Sequence, residues 1–429
     1  MITLGKFFAV LLWIPLLIWS GASGLLEKAR GAPEAPAFVP GVTFSTVQAK
    51  NLGLDPRETY IAILDDLGAR RIRIAAYWPE VEPQPGAYDW SLLDFQISEA
   101  EKRNAKLILT VGMKTPRWPE CHIPDWTKGA LAPERDKRLI ELISKIVIRY
   151  QHSPAISMWQ VENEPFFKFG DCPVITYDMV EKEVSAVRLL DDRPVAMTDS
   201  GELSNWFDAA RLGDLVGTTM YRRNLTRFGY IEYPLPPRFY EKKATLIKRF
   251  FGDEVFVVEM QAEPWMRSPR LSDYSVEEQF QGLDFARFQN HVAYARASRL
   301  SPVYFWGVEW WYWLSKKEHP EFWDYAKKEI WQQKKEPFEP SPIVSPTPSP
   351  LFPLFTATLK LGMRGDEVKR LQEVLRKLGF FPKAAPLSGV FGPVTEKAVK
   401  DFQKAAGLQP VGVVGPQTRK ALNEVVARW

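Results

Sequence analysis

Two stretches decide the fold, Trp159–Pro165 (WQVENEP) and Val255–Trp265 (VFVVEMQAEPW). Each begins as an apolar, β-branched run suited to a buried strand and then meets a glutamate, Glu164 in the first and Glu259 in the second. A carboxylate at the end of such a strand costs free energy unless it is paired or used in chemistry. Two of them, brought by two strands to one end of a parallel barrel, can serve as proton donor and nucleophile on a glycosidic bond, which is the chemistry this pattern leads one to expect.

Outward from these stretches, strand and helix patterns alternate. Strands are predicted at Gly41–Ser45, Arg71–Ala75, Lys106–Val111, Ile156–Val161, Pro194–Thr198, Leu215–Met220, Val255–Val258 and Pro302–Trp306. Helices are predicted between them, the first opening on Asp55 as cap, Pro56 at the first helical position and Glu58 closing a capping box. The last runs over Glu318–Trp331. Eight strand–helix units predict an α/β chain folded as a (β/α)8 TIM barrel over 41–331. A doubly wound open sheet would place a glycine-rich phosphate turn after the first strand, and GVTFSTVQAKN has none.

Two segments flank the barrel at its start. Lys6 and the apolar run 7–19, followed by small residues, predict a signal peptide over 1–23. If left uncleaved, it would be a membrane anchor. An Ala/Pro-rich spacer covers 24–40. After the barrel, 332–357 turns to Pro/Ser/Thr with SPTPSP at its centre, a composition for a semi-rigid linker. The remaining 358–429 carries a net charge of +7 out of +4 for the whole chain, which suits an anionic polymer such as a wall glycan. Val368, Leu371, Leu375 and Leu378 recur at helical spacing, and a repeat follows, GVFGPVTEKAV at Gly389–Val399 and GVVGPQTRKAL at Gly412–Leu422.

Export puts the two cysteines in an oxidising compartment. Cys121 and Cys172 follow consecutive strands, so a disulfide between neighbouring loops is predicted. The four histidines, His122, His152, His291 and His319, show no helical ligand spacing and no CxxC occurs, so no metal site and no cofactor are expected. Nor is a nucleic-acid partner. The 16 tryptophans gather near strand ends, where aromatic faces can stack on sugar rings.

The tail closely resembles the peptidoglycan-binding domain type 1, through Leu359–Leu375, Gly389–Phe402 and Gln403–Leu408. The resemblance implies a three-helix module that binds cell wall. The barrel resembles clan A of the glycoside hydrolases, the group of cellulases, mannanases and β-galactosidases, through Asn163–Glu164–Pro165 after the fourth strand. That resemblance implies Glu164 as acid/base, Asn163 on the sugar 2-hydroxyl and Glu259 as nucleophile. It also implies Arg73 and Tyr221 as supports of the nucleophile. Trp306 would be the sugar-stacking tryptophan, with Trp310 as the second candidate. Glu162 lies two positions from Glu164 on the same side of an extended strand, and Glu263, in AEPW, rivals Glu259. Met260–Trp265 departs from the usual Glu-aromatic-Gly ending and leaves sugar and linkage open.

The expected function is an exported, envelope-associated retaining β-glycosidase acting on a β-linked oligo- or polysaccharide. A non-catalytic wall- or carbohydrate-binding protein and an enzyme that cleaves peptidoglycan itself are the alternatives.

Overall fold

The computed structural model describes residues 36–127, 129–268, 270–331, 355, 357–382 and 385–426. The signal segment, most of the spacer and most of the linker lie outside them. The chain divides into two compact units, 1–187 with 193–334 and 188–192 with 335–429.

In the first unit the aliphatic runs form β1 (Pro40–Thr43), β2 (Arg71–Ala75), β3 (Lys106–Val111), β4 (Ile156–Val161), β5 (Val195–Asp199) and β6 (Leu215–Met220). A hairpin follows, β7 (Arg223–Thr226) with β8 (Gly229–Glu232), and then β9 (Glu254–Gln261) and β10 (Val303–Trp306). Eight of the ten close into a barrel in the order β1, β10, β9, β6, β5, β4, β3, β2. Every pairing in it is parallel, because each strand is joined to the next by a segment carrying helix on the outside. Ile108, Ala196, Phe256, Val258 and Tyr304, from four different strands, meet in the barrel interior.

The helices follow local signals. Asp55 accepts from the backbone N–H of Arg57 and Glu58 and starts Pro56–Asp65. Between β9 and β10 the helical segment breaks at Leu283, where Asp284 caps a second helix, so Val276–Gly282 and Phe285–Ala297 are separate. The hairpin β7–β8 and the helix Val308–Ser315 are additions that the strand–helix alternation does not signal.

One irregularity matters for the site. Thr218 pairs with Val257 but Thr219 pairs with Glu259, so β9 carries an extra residue at Val258. The same shift separates Val303 from Phe305 along β10. In a regular strand Val258 and Glu259 would face opposite ways. The bulge lets both face inward.

In the second unit, helices Asp366–Lys377, Pro393–Ala405 and Pro416–Val426 enclose Leu371, Leu375, Phe391, Val399 and Phe402. The sequence repeat has a structural cause. Gln372, buried, accepts from Gly389 N–H and donates to Val390 O and Thr395 Oγ1. Gln403 does the same for Gly412, Val413 and Thr418. Each glutamine satisfies the loop that precedes the next Gly-Pro helix start, which is why both copies keep Gly and Thr at fixed offsets.

Candidate active site

The site is built at the end of the barrel from residues of β2, β4, β6 and β9. Arg73 on β2 is fully buried and uses its whole guanidinium fork. Nη1 donates to Glu259 Oε1 at 2.6 Å, Nη2 to Asn163 Oδ1 at 2.7 Å and Nε to Gln160 Oε1 at 2.8 Å. Tyr221 Oη donates to the other oxygen of Glu259 at 2.7 Å. Both oxygens of Glu259 therefore accept a strong donor, one of them cationic, which suits an anionic carboxylate.

Glu164 stands in a different environment. Its backbone N–H donates to Thr198 Oγ1 at 2.8 Å, and Thr219 Oγ1 donates to its Oε1 at 3.1 Å. Burial holds its carboxyl well above the usual range, and the negative charges of Glu259, Glu120 and Asp199 push the same way against Lys114. Thr219 is also the register partner of Glu259, so the two glutamates reach the same rim.

Glu162 does not share the side of Glu164. Both residues take left-handed backbone, φ 56° and 45°, so the segment is not extended and the period-2 expectation fails there. Glu162 turns back to accept from the N–H groups of Met113 (3.0 Å) and Lys114 (2.6 Å), fastening the segment after β3. Gly112 makes room for it, since a Cβ there would lie 2.6 Å from the carboxyl carbon.

Glu263, the rival carboxylate, is tied into a separate buried cluster. Arg117 pairs with Glu263 and with Glu309. Trp306 Nε1 donates to Glu263 Oε1 at 2.9 Å, and the Arg117 guanidinium lies 3.9 Å from the centroid of the Trp306 ring. One face of Trp306 is thus taken by a cation. Trp310 does not join the site: it is fully buried, donates to Gln279 Oε1 at 2.6 Å and packs on Phe280 and Phe322. It sits on the helix after β10, whose inner side faces other helices. Cys121 and Cys172 are joined in a disulfide with Cα atoms 5.1 Å apart.

Sequence reading missed Glu120, Gln160, Thr198 and Thr219. Glu120 Oε2 lies 3.3 Å from Asn163 Nδ2. Burial pushes its carboxyl up to about 7, opposed by Lys114 and assisted by Glu259. Its one signal in the sequence is its place beside Cys121. Among the described residues no group of three or more His, Cys, Asp or Glu side chains could hold a metal ion.

Residues 56–176 match the beta-galactosidase family model, and residues 364–422 match that of the peptidoglycan binding domain. The chain joins a glycoside hydrolase domain to a peptidoglycan-binding one. The hydrolase match covers β2, β3 and β4 and so includes Arg73, Glu120, Asn163 and Glu164, while Glu259 lies beyond it. Beta-galactosidase BgaH of Haloferax lucentense is 23% identical over 218 residues, 46% of this chain and 30% of that protein. The zinc D-Ala-D-Ala carboxypeptidase of Streptomyces albus G is 41% identical over 66 residues, 15% of this chain and 25% of that protein. The chain therefore spans less than a third of the length of either relative. Among solved structures, the beta-galactosidase of Halorubrum lacusprofundi aligns over 62% of this chain and 52% of its own, at 14% identity and a TM-score of 0.44. No helix among the described residues is long and apolar enough to cross a membrane.

Proposed function

We propose that the barrel is a retaining β-glycoside hydrolase in which Glu164 is the acid/base and Glu259 the nucleophile. The observation that carries this reading is the unlike setting of two glutamates at one buried rim. Glu259 is gripped by Arg73 and Tyr221, and Glu164 keeps its proton through burial beside that negative charge.

The steps follow from the settings. Glu164 gives its proton to the glycosidic oxygen as the bond to the anomeric carbon breaks, and the alcohol leaves neutral. A carboxylate oxygen of Glu259 bonds to the same carbon and forms a glycosyl ester. Glu164, now a carboxylate, takes a proton from water whose oxygen attacks that carbon and releases Glu259. Water is added across the bond and both glutamates return to their starting state. The Tyr221 hydroxyl and the Arg73 guanidinium stay on Glu259 between steps and orient the oxygen that attacks.

The substrate is a β-linked glycan, with β-galactosides first to be tried because the family model and the Haloferax relative bear that name. The tail holds the enzyme at peptidoglycan, a reading supported by the family match and the basic charge of 358–429. Export is supported by the apolar run 7–19, and the Cys121–Cys172 disulfide suits an oxidising compartment.

A series of 2-fluoro β-glycosides tests the chemistry. The expected result is a covalent label on Glu259, located by peptide mass, with the sugar that labels fastest naming the substrate. Absence of any label, together with no turnover of an aryl β-glycoside panel, would overturn the reading. Reducing ends released from purified wall but not from neutral β-glycans would move the substrate to peptidoglycan.

A further inference from the structure

The turn after β3 is held more firmly than a connection needs. Thr115 N–H bonds to Glu120 O at 2.8 Å, Glu120 N–H to Arg117 O at 2.7 Å and His122 N–H to Met113 O at 2.8 Å. Asp171 N–H reaches across from the next loop to Pro119 O at 3.0 Å, and the disulfide Cys121–Cys172 joins the same two loops. Gly170 completes the clamp, for a Cβ at that position would lie 2.5 Å from the Glu120 Cβ. Glu120 itself takes φ 74°, a conformation that is strained in a non-glycine residue and persists only where its surroundings hold it. Both loops thus hold one carboxyl in place, and that carboxyl is buried against Asn163.

The Asn163 amide is sorted by its partners. Its Oδ1 accepts from Arg73 Nη2 at 2.7 Å and lies 3.4 Å from both Gln160 Nε2 and Thr198 Oγ1. Its Nδ2 faces Glu120 Oε2. Donors gather on one side and the carboxyl on the other, so the amide has one orientation. The chain of bonds runs Glu120, Asn163, Arg73, Glu259.

We propose that Glu120 is a positioning residue of the site: its carboxyl group fixes the Asn163 amide and, through it, the Arg73 guanidinium that grips Glu259. Its part in turnover rests on the glycosidase reading; its ordering of Asn163 does not. The charged groups acting on Glu120 are Lys114 on its own turn, Arg73 from β2 and Glu259 from β9. Its own charge acts in turn on Glu164 after β4 and on Tyr221 after β6. An ionised Glu120 therefore disfavours loss of the proton from Glu164.

Two readouts on the full chain test this. The first is the side-chain amide resonance of Asn163, assigned by its loss in Asn163→Ala and followed with pH. The wild type is expected to show a step near pH 7, and Glu120→Gln is expected to abolish it. No step in the wild type, or an unchanged step in the variant, would overturn the proposal. The second is turnover of an aryl β-glycoside. Glu120→Ala should lower kcat/KM by about 10- to 100-fold, as expected for a displaced reacting group, while Glu120→Gln keeps an acceptor oxygen and recovers much of it. The alkaline limb of the kcat profile should move to lower pH in Glu120→Gln, because a charge that holds the proton on Glu164 is gone. Wild-type turnover in Glu120→Ala would also overturn the proposal. Should Glu120→Ala fail to fold, the near-isosteric Glu120→Gln decides alone. Should the wild type turn over nothing, the glycosidase reading falls and the amide titration still decides for Glu120.

Discussion

Thr219 Oγ1 stands 3.1 Å from the Oε1 of Glu164, while its own Cα is the register partner of Glu259. A single residue of β6 thereby ties the two carboxylates to a common rim, and the bulge at Val258 is what allows it. The unlike settings of those carboxylates set the first expectations.

Glu259→Ala should reduce turnover of every aryl β-glycoside by on the order of 10⁴-fold, whatever the leaving group. Glu164→Ala should lose about 10²- to 10⁴-fold on poor leaving groups and far less on good ones, which need little proton assistance. A series of aryl glycosides of graded leaving-group pKa measures this. Equal losses across the series for both variants would contradict the assigned roles.

Glu263→Gln separates the rival from the proposed nucleophile, Glu259. Glu263 is bonded to Arg117 and Trp306 rather than to Arg73 and Tyr221. Its change should weaken folding by about 1–3 kcal/mol, since Arg117 loses one charged acceptor and keeps Glu309 as the other. Denaturant melts should show that loss while the folded fraction still forms the fluoroglycoside label on Glu259. Absence of the label in folded Glu263→Gln would reverse the assignment.

Stability should fall as pH rises from about 5 to 8. Burial pushes Glu162 up to about 7, and burial with the Glu162 charge holds Glu183 well above the usual range. The folded state therefore binds protons that the unfolded chain has released. Stability is full below the unfolded carboxylate range, near 4.5, and is lost as pH passes through 7. Glu183→Gln cannot ionise, so its melting temperature should vary less over that window. An equally steep decline in the variant would assign the effect elsewhere.

In the tail, Gln403→Ala leaves Gly412 N–H without its acceptor and takes the amide donor from Val413 O and Thr418 Oγ1, which keep only their 3.4 Å contact with each other. Each buried group left without a partner costs about 1–3 kcal/mol, enough to unfold a small module. Sedimentation with insoluble peptidoglycan should fall in step, and hydrolysis of soluble substrate should not change. Full wall binding by the variant would detach the Gln403 bonds from the binding fold.

Local composition was enough for the eight barrel strands. An apolar β-branched run between breakers forms a strand wherever it packs, so Ile156–Val161 and Leu215–Met220 are legible without neighbours. The Asp55 cap and the Gly-Pro helix starts are local too. Which way Glu259 faces is not, because a one-residue bulge reverses the alternation and depends on the strands alongside. Glu162 is a similar case. Its carboxyl satisfies two backbone groups of another loop, a partner 48 residues away that no sequence window contains.

The sequence alone determined that this chain holds an eightfold strand–helix unit, a proline-rich break and a small domain with an internal repeat, since periodicity and breakers act over a few residues. Only the tertiary structure decided which carboxylates share a rim, that Glu120 stands beside Asn163, and that Trp310 packs among helices. Those facts depend on strand register and on loops meeting across the barrel, and the free energy that selects them belongs to contacts distant in the chain.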